Sequence, residues 1–309
     1  MGVKKDNILL VTGAGGFLGR RLLIALSKEG YRIFALDINP DKDCNFNKNI
    51  NYIQCDITRK PDLDKLKKIR TNIILFHLAA CVPHMPSKEN ELINRMFEVN
   101  VNGTINLLET LKRRLVKVCY VSTLEVYGVP QYLPLNEKHP TYPRSIYGLT
   151  KLCAEHLVRL FCQKNNIPFS ILRLSSVYGP GENYFRAIPN FIRAAIYNRK
   201  IRIYGNGLDR RDYVYIDDVC DAIIASSKNS DSEGLMNIAF GRSYTIKEVA
   251  QMVLKLSGSK SKISFLKINK PAYDIIFDIA KARQKIGFMP KTAFKDGLLS
   301  EIEWFRFNK

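Results

Sequence analysis

The sequence predicts an α/β fold, a doubly wound parallel sheet with a smaller, partly interleaved C-terminal lobe, and three observations point to it. Short apolar runs alternate with helical stretches through the first half of the 309 residues. The runs lack the in–out alternation of a one-sided sheet, as expected for strands covered on both faces. A glycine-rich turn, TGAGGFLGR at 12–20, joins the first run to the first helix.

Taken in order, residues 7–12 (NILLVT) read as a buried strand. Residues 17–28 are helical, with Leu18, Leu22, Leu23 and Leu26 on one face, and Gly30 ends that helix. Strands follow at 31–36 and 51–55, then a lysine-rich surface helix at 61–69 and a strand at 72–77 (NIILFH). A long helix is expected over 91–111, a strand at 116–121, a helix at 146–163 and a strand at 169–174. Strand, helix, strand in repetition implies parallel pairing with right-handed crossovers. Gly179, Pro180 and Gly181 then break the pattern. Beyond them lie short helices (187–197, 218–226, 246–256), short strands and polar loops. The expected division is 1–175 for the sheet domain, with later segments returning to it, and 176–309 for a mainly substrate-binding lobe.

Composition narrows the class. With 46% apolar and 25% charged residues, the chain is neither disordered nor a coiled coil. Its apolar runs are too short to cross a bilayer. The formal charge of +19 favours anionic ligands without choosing among them. Lysines are scattered rather than interleaved with exposed aromatics, so neither a nucleic-acid nor a membrane partner is expected. Seven cysteines without a CxxC pair suggest a reducing cytoplasm, no disulfide framework and no zinc site. A strand begins almost at once, leaving no room for a signal peptide. The four histidines show no metal-ligand spacing, and His77 reads as structural.

Gly13, Gly16 and Gly19 sit between the first strand and the first helix. Glycine permits a tight turn and lets backbone N–H groups approach a pyrophosphate, with the helix N-terminus behind them. The spacing is GxxGxxG, and its place after a strand and before a helix is the required context. Asp37 ends the second strand, 18 residues past Gly19. A carboxylate there accepts hydrogen bonds from ribose hydroxyls and repels a 2′-phosphate, which favours NAD over NADP, although Arg20 and Arg32 leave NADP open. Asp56, ending the third strand, suits either an adenine amine or a cap with Thr58.

Tyr147 and Lys151 lie at i and i+4 on one helix face. An ammonium near a phenol stabilises the phenolate, and so does the positive nicotinamide ring of bound NAD⁺; together they are expected to lower the tyrosine pKa and make it an acid/base near neutral pH. Thr123, 24 residues upstream at a strand end, offers a hydroxyl to polarise a substrate oxygen.

The ordered motifs TGAGGFLGR, Asp37, Asp56-Ile57, HLAA (77–80), Asn100, STLEVYG (122–128), YGLTK (147–151), RLSSVYGPG (173–181) and RRDYVYIDD (210–218) resemble the extended short-chain dehydrogenase/reductase superfamily. More narrowly they resemble its nucleotide-sugar epimerase/dehydratase group, from residue 7 to FDIAKARQKIGF at 277–288. The resemblance implies a Rossmann-like sheet holding NAD. It implies that Gly13, Gly16, Phe17, Leu18 and Gly19 form the pyrophosphate loop, that Asp37 holds the ribose, and that Asp56 and Ile57 hold the adenine. It places Ala79, Ala80 and Asn100 at the cofactor cleft and Thr123, Tyr147 and Lys151 as the catalytic set. It assigns Arg211 to the sugar-nucleotide diphosphate, a task suited to a forked cation. By loop position, Asn183, Arg186 and Tyr204 are further candidates to contact the nucleotide. The helices at 91–111 and 146–163 would pair two copies into a homodimer.

Related dehydratases carry an Asp-Glu pair after the threonine; here Leu124 and Glu125 stand there. Leucine transfers no proton, which disfavours 4,6-dehydration. Glu125 suits a decarboxylase, or a structural carboxylate. Ser176 stands where such enzymes often have asparagine, and residues 269–276 lack the arginine pattern of UDP-sugar 4-epimerases. A 4-epimerase is the leading expectation, like UDP-glucose 4-epimerase. A decarboxylase, dehydratase or keto-sugar reductase comes next, and a non-catalytic dinucleotide- or nucleic-acid-binding protein is the rival of another class.

Overall fold

All five residues of β1 (Ile8–Thr12) are buried because the strand runs through the middle of a seven-stranded sheet. In this computed structural model, residues 7–39, 48–83, 88–182, 184–228, 232–267 and 273–308 are described. The chain continues through α1 (Phe17–Ser27), β2 (Ile33–Asp37), β3 (Ile50–Gln54), α2 (Lys60–Leu66) and β4 (Ile73–His77). Next come α3 (Ile93–Met96), α4 (Thr104–Leu111), β5 (Leu115–Thr123), α5 (Ile146–Lys164) and β6 (Phe169–Leu174). Then follow β7 (Ser176–Tyr178), α6 (Ala187–Ile196), β8 (Ile201–Tyr204), β9 (Arg210–Tyr215), α7 (Ile216–Lys228) and β10 (Gly234–Ile238). The last elements are β11 (Ser243–Thr245), α8 (Ile246–Ser257), β12 (Ile263–Leu266), α9 (Ala280–Ile286) and α10 (Phe294–Phe307).

The large sheet has the order β10-β6-β5-β4-β1-β2-β3, and every pairing in it is parallel. One face is covered by α1 (Leu22, Leu23, Leu26) and α7 (Val219, Ile223). The other is covered by α4 (Leu107, Leu108, Leu111) and α5 (Val158, Phe161). This is a Rossmann-like sheet, and its strand order reverses between β1 and β4. Loops leaving the strand ends diverge there and open a crevice. A division at residue 175 separates β6 from β7, but α7 and β10 return to the first sheet. The lobe holds two small sheets, β11-β9-β7 and β12-β8, over a core that includes Phe191, Tyr213 and Phe294. Among the described residues, no helix is long and apolar enough to cross a membrane.

The helix expected over 91–111 is not uniform. A π-helical stretch, Phe97–Gly103, separates α3 from α4. Apolar periodicity marks a helical face but not a widened turn, so the sequence pattern does not register it. The widened stretch carries Asn100 inward, where it bonds the backbone of Cys81 and the Thr150 hydroxyl. At Gly103 an added Cβ would stand 2.8 Å from Ile57.

Two carboxylates are sealed inside the lobe. Glu182, in the loop after β7, is 1% exposed, and Glu301, on α10, is 0% exposed. Among the described residues, no side chain pairs with Glu301, whose nearest polar backbone is the Gly179 N–H, and one oxygen of Glu182 has no hydrogen-bond partner. Burial pushes Glu182 up to about 7 against the pull of Arg186 and Arg193. Glu301 is raised well above the glutamate range, by burial first and the Glu182 charge second. Both groups hold protons more tightly folded than unfolded. Their contribution to stability is full below the ordinary value of 4.5 and declines as pH rises, for Glu182 through about 7 and for Glu301 in the same direction. The melting temperature should therefore fall between about pH 5 and pH 8. Glu301→Gln, which keeps the shape and cannot ionise, should melt about 3 °C or more above the parent at pH 8 and close to it at pH 5. A variant no more stable than the parent at pH 8 would contradict this account.

Candidate active site

A cleft of about 240 Å³ opens at the C-terminal ends of the central strands. Its walls include Gly13, Gly16, Phe17, Leu18 and Gly19 from the first turn, Asp37 from β2, Ala80, and Thr123 from β5. Tyr147 and Lys151 of α5 complete it on one side, and Ser175, Tyr184 and Arg186 close it on the other. A smaller pocket of about 210 Å³ continues beside it, lined by Asp37, Asp56, Ile57, Ala79, Ala80 and Arg95 among others.

The glycine turn is built for close approach. Gly13 has φ +69°, and a Cβ there would lie 2.8 Å from the Ala79 nitrogen. A Cβ at Gly19 would lie 2.1 Å from the Gly13 carbonyl oxygen, so α1 can meet the turn only through glycine. Helix α1 begins after Gly16 without a side-chain cap, which leaves its first N–H groups to the cleft. That is a cradle for a pyrophosphate. Asp37 accepts hydrogen bonds from the Gly15 N–H (2.9 Å) and the Asn39 N–H (3.0 Å), so its carboxylate is fixed at the cleft wall. The donor set therefore fits a dinucleotide with a free ribose diol.

Asp56 makes the local cap with Thr58 that its position allowed. It lines the side pocket and also accepts from the Thr58 N–H and hydroxyl and from Arg95. Burial raises its pKa, but the Thr58 and Arg95 hydrogen bonds outweigh this and leave it below the usual value. Arg95 also pairs with Glu98 three residues on, but its contact with Asp56 joins residues 39 apart and has no local signal. Asn100 does not reach the cleft surface. It is 1% exposed and holds the Cys81 backbone, so it braces the cleft wall from behind. His77 is sealed between the Thr12 and Thr104 hydroxyls, and burial lowers it to about 3.

Ser145 caps α5, its hydroxyl accepting from the Gly148 N–H, and this sets Tyr147 and Lys151 on the first turns. Glu89 accepts from the Tyr147 N–H at 2.9 Å, a second anchor with no motif to announce it. The Lys151 Nζ sits 4.1 Å from the centre of the Tyr120 ring. Burial pulls this ammonium down to about 7, opposed by the Glu155 charge. Burial pushes Tyr147 above the tyrosine range, the Glu125 charge adds to this, and Arg186 opposes it. Thr123 Oγ1 accepts from the Glu125 N–H at 3.3 Å. Glu125 itself is exposed and takes a hydrogen bond from the Ser145 hydroxyl.

A third pocket, of about 250 Å³, adjoins the cleft through Val177 and Arg186 and is also lined by Ser176, Glu182, Arg211 and Tyr213. Arg211 donates to the carbonyls of Tyr273 (2.6 Å) and Arg210 (2.9 Å). Arg186 lines both cavities. Tyr204 is not brought to them; it is 66% exposed on β8, in a separate groove with Arg199 and Arg202. Asn183 lies outside the described residues. Tyr184, beside it in sequence, reaches the cleft and meets the Phe17 ring edge-on at 6.5 Å. Among the described residues, no group of three or more His, Cys, Asp or Glu side chains could hold a metal ion.

Known proteins share this architecture along the whole chain. The UDP-glucuronate 4-epimerase of Thermodesulfobacterium geofontis is 30% identical over 315 residues, covering 97% of this chain and 96% of the relative. The solved UDP-glucuronic acid 4-epimerase of Bacillus cereus, in complex with UDP-glucuronic acid and NAD, superposes with a TM-score of 0.88 at 29% identity, over 98% of this chain and 100% of its own. The UDP-glucose 4-epimerase of Thermotoga maritima, solved with UDP-glucose, gives a TM-score of 0.88 at 27% identity, over 97% and 99%. Relatives at 28–29% identity include a UDP-sugar decarboxylase and dTDP-D-glucose 4,6-dehydratases. The family described as NAD dependent epimerase/dehydratase matches residues 9–239, a span from the first strand through β10 that takes in the glycine turn, Tyr147 and Lys151. With that match and those side chains in one cleft, the chain belongs to the NAD-dependent epimerase/dehydratase family, part of the extended short-chain dehydrogenase/reductase group.

Proposed function

We propose that the chain is a UDP-sugar 4-epimerase that works through a transient 4-keto sugar. The observation that carries this reading is the convergence of Tyr147, Lys151 and Thr123 with the glycine turn on one cleft, beside a pocket holding Arg186 and Arg211. Bound NAD⁺ supplies a reversible hydride acceptor at the sugar C4, and its cationic ring favours the phenolate. Gly13, Gly16 and Gly19 would seat its pyrophosphate, Asp37 its adenosine ribose, and Lys151 its second ribose. Tyr147 Oη takes the proton from the C4 hydroxyl and returns it. Thr123 Oγ1 holds that hydroxyl in line. Burial makes the Lys151 charge hard to retain. Arg186 and Arg211 suit the diphosphate and the groups beyond it.

Glu125 favours a second reading, a UDP-hexuronate decarboxylase. Its carboxylate stands at the end of β5 and its charge is felt at Tyr147. Leu124 beside it argues against 4,6-dehydration. Product analysis separates the readings: an epimer of unchanged mass supports epimerisation, and loss of carbon dioxide supports decarboxylation. With UDP-glucose and UDP-glucuronate as substrates, we expect the C4 epimer of one of them. Tyr147→Phe should lower that turnover about 10²–10⁴-fold while NAD binding persists. Undiminished turnover in this variant would refute the proton-transfer role.

We also propose, by the family resemblance, a homodimer that pairs the helical segments 91–111 and 146–163 of two copies. Phe97 (38%), Leu149 (43%) and Leu160 (60%) are exposed apolar side chains there. Two copies would cover them. Light scattering at micromolar concentration should report twice the chain mass of 35.4 kDa, and a monomer would exclude this pairing.

A further inference from the structure

The catalytic helix carries a buried carboxylate that the proton-transfer scheme does not use. Glu155 lies one turn beyond Lys151 on α5 and is 4% exposed. Its Oε1 accepts from the Ser122 hydroxyl, next in sequence to Thr123. Arg173, near the end of β6, grips it through Nη2 at 2.7 Å and Nε at 3.0 Å. Arg173 in turn stands 4.6 Å over the Tyr127 ring, whose hydroxyl donates to Asn237. One carboxylate thus ties the helix of Tyr147 and Lys151 to the strand end that carries Thr123. It also ties both to the strand that leads to Ser175 at the cleft.

The surroundings of Lys151 offer little else to hold its charge. The Tyr120 ring comes from β5, His77 from β4 and Tyr147 from α5 itself. His77 is neutral, and both tyrosines are held in their neutral forms by burial. Among the described groups, Glu155 is the anion that acts on Lys151.

We propose that Glu155 is a positioning residue of this site, which fixes α5 against the ends of β5 and β6 and keeps Lys151 an ammonium. The role in turnover rests on the epimerase reading; the role toward Lys151 is a property of the ligand-free chain and is tested there. Glu155→Gln keeps the shape and removes the charge. NMR titration of lysine Cε–Nζ signals, with the Lys151 signal identified by its loss in Lys151→Met, should show a midpoint near 7 in the parent. In Glu155→Gln it should fall by about one pH unit or more. Glu155→Asp, which keeps the charge on a shorter stem, should hold the midpoint within a few tenths while turnover drops. The alkaline limb of the turnover profile should move with the titration, to lower pH in Glu155→Gln.

A purely structural Glu155 would lower the melting temperature and turnover and leave the Lys151 midpoint in place, and that result overturns the proposal. If Glu155→Gln fails to fold around an unpaired guanidinium, the pair Glu155→Gln/Arg173→Met leaves no buried charge over and carries the same titration. A parent chain inactive on every UDP-sugar would sink the epimerase reading, while the titration still decides for or against Glu155.

Discussion

The constraint on which this site turns is the burial of a charge. On the proposed reading Lys151 stays an ammonium to stabilise a phenolate and hold a ribose, yet it is 2% exposed. Burial opposes the charged form, and on a lysine the cost is felt near neutral pH. The structure answers with nearby features: the face of the Tyr120 ring, 4.1 Å away, and the Glu155 carboxylate one turn on. Placing the ammonium in open water would spare that cost, but it would also solvate the phenol and expose the keto sugar. Burial and retained charge are therefore one design problem, and the buried Glu155–Arg173 pair belongs to its solution. Such a pair is weak evidence for stability, since dehydrating two ions offsets most of their attraction. Its value here lies in fixing which way a carboxylate faces.

The cofactor side rests on a different constraint, which is space. Gly19 can carry no side chain because the Gly13 carbonyl lies where its Cβ would be. Gly13 can carry none because the strand-end backbone at Ala79 is against it. These contacts bring α1 up to the end of β1, and the free N–H groups of its first turn arrive at the cleft together with Asp37. Removing either glycine would push the helix away and spoil anion binding without touching any charged group.

Much of this was legible in the sequence because it is written locally. Glycine spacing, a tyrosine and lysine four residues apart, and apolar runs of strand length each depend on a few neighbouring residues. The parallel order of the sheet follows from their alternation. What local pattern could not carry was set by distant partners. Asn100 looked like a cleft residue but is turned inward, because a π-helical stretch lets it reach Cys81 and Thr150. Tyr204 sits in a loop-rich lobe, where proximity in sequence says little about which groove a side chain lines. The upward shift of Tyr147 has no local signal either, since burial by surrounding elements and the Glu125 charge set its direction. Arg95, Glu89 and Tyr184 enter the site from segments whose own pattern is unremarked surface helix or loop.

The two lobes divide the chemistry between them. On the proposed reading, what moves a proton or seats the dinucleotide comes from the sheet, the glycine turn with the start of α1, and α5. Everything that would tell one nucleotide sugar from another comes from the segment after β6, where Ser175, Tyr184 and Arg186 face the cleft and Arg211 faces the adjoining pocket. Arg186 borders both cavities, and its ion-pair partner at 3.9 Å is Glu182, a carboxyl that burial pushes up to about 7. Near neutral pH that carboxyl is partly protonated and competes weakly for the guanidinium. On the proposed reading that leaves the arginine to a substrate anion at the junction of the two cavities. The reaction type is thus carried by rigid elements and the substrate choice by loops. This explains how relatives at 28–30% identity keep the fold while differing in the sugar they act on and in what they do to it.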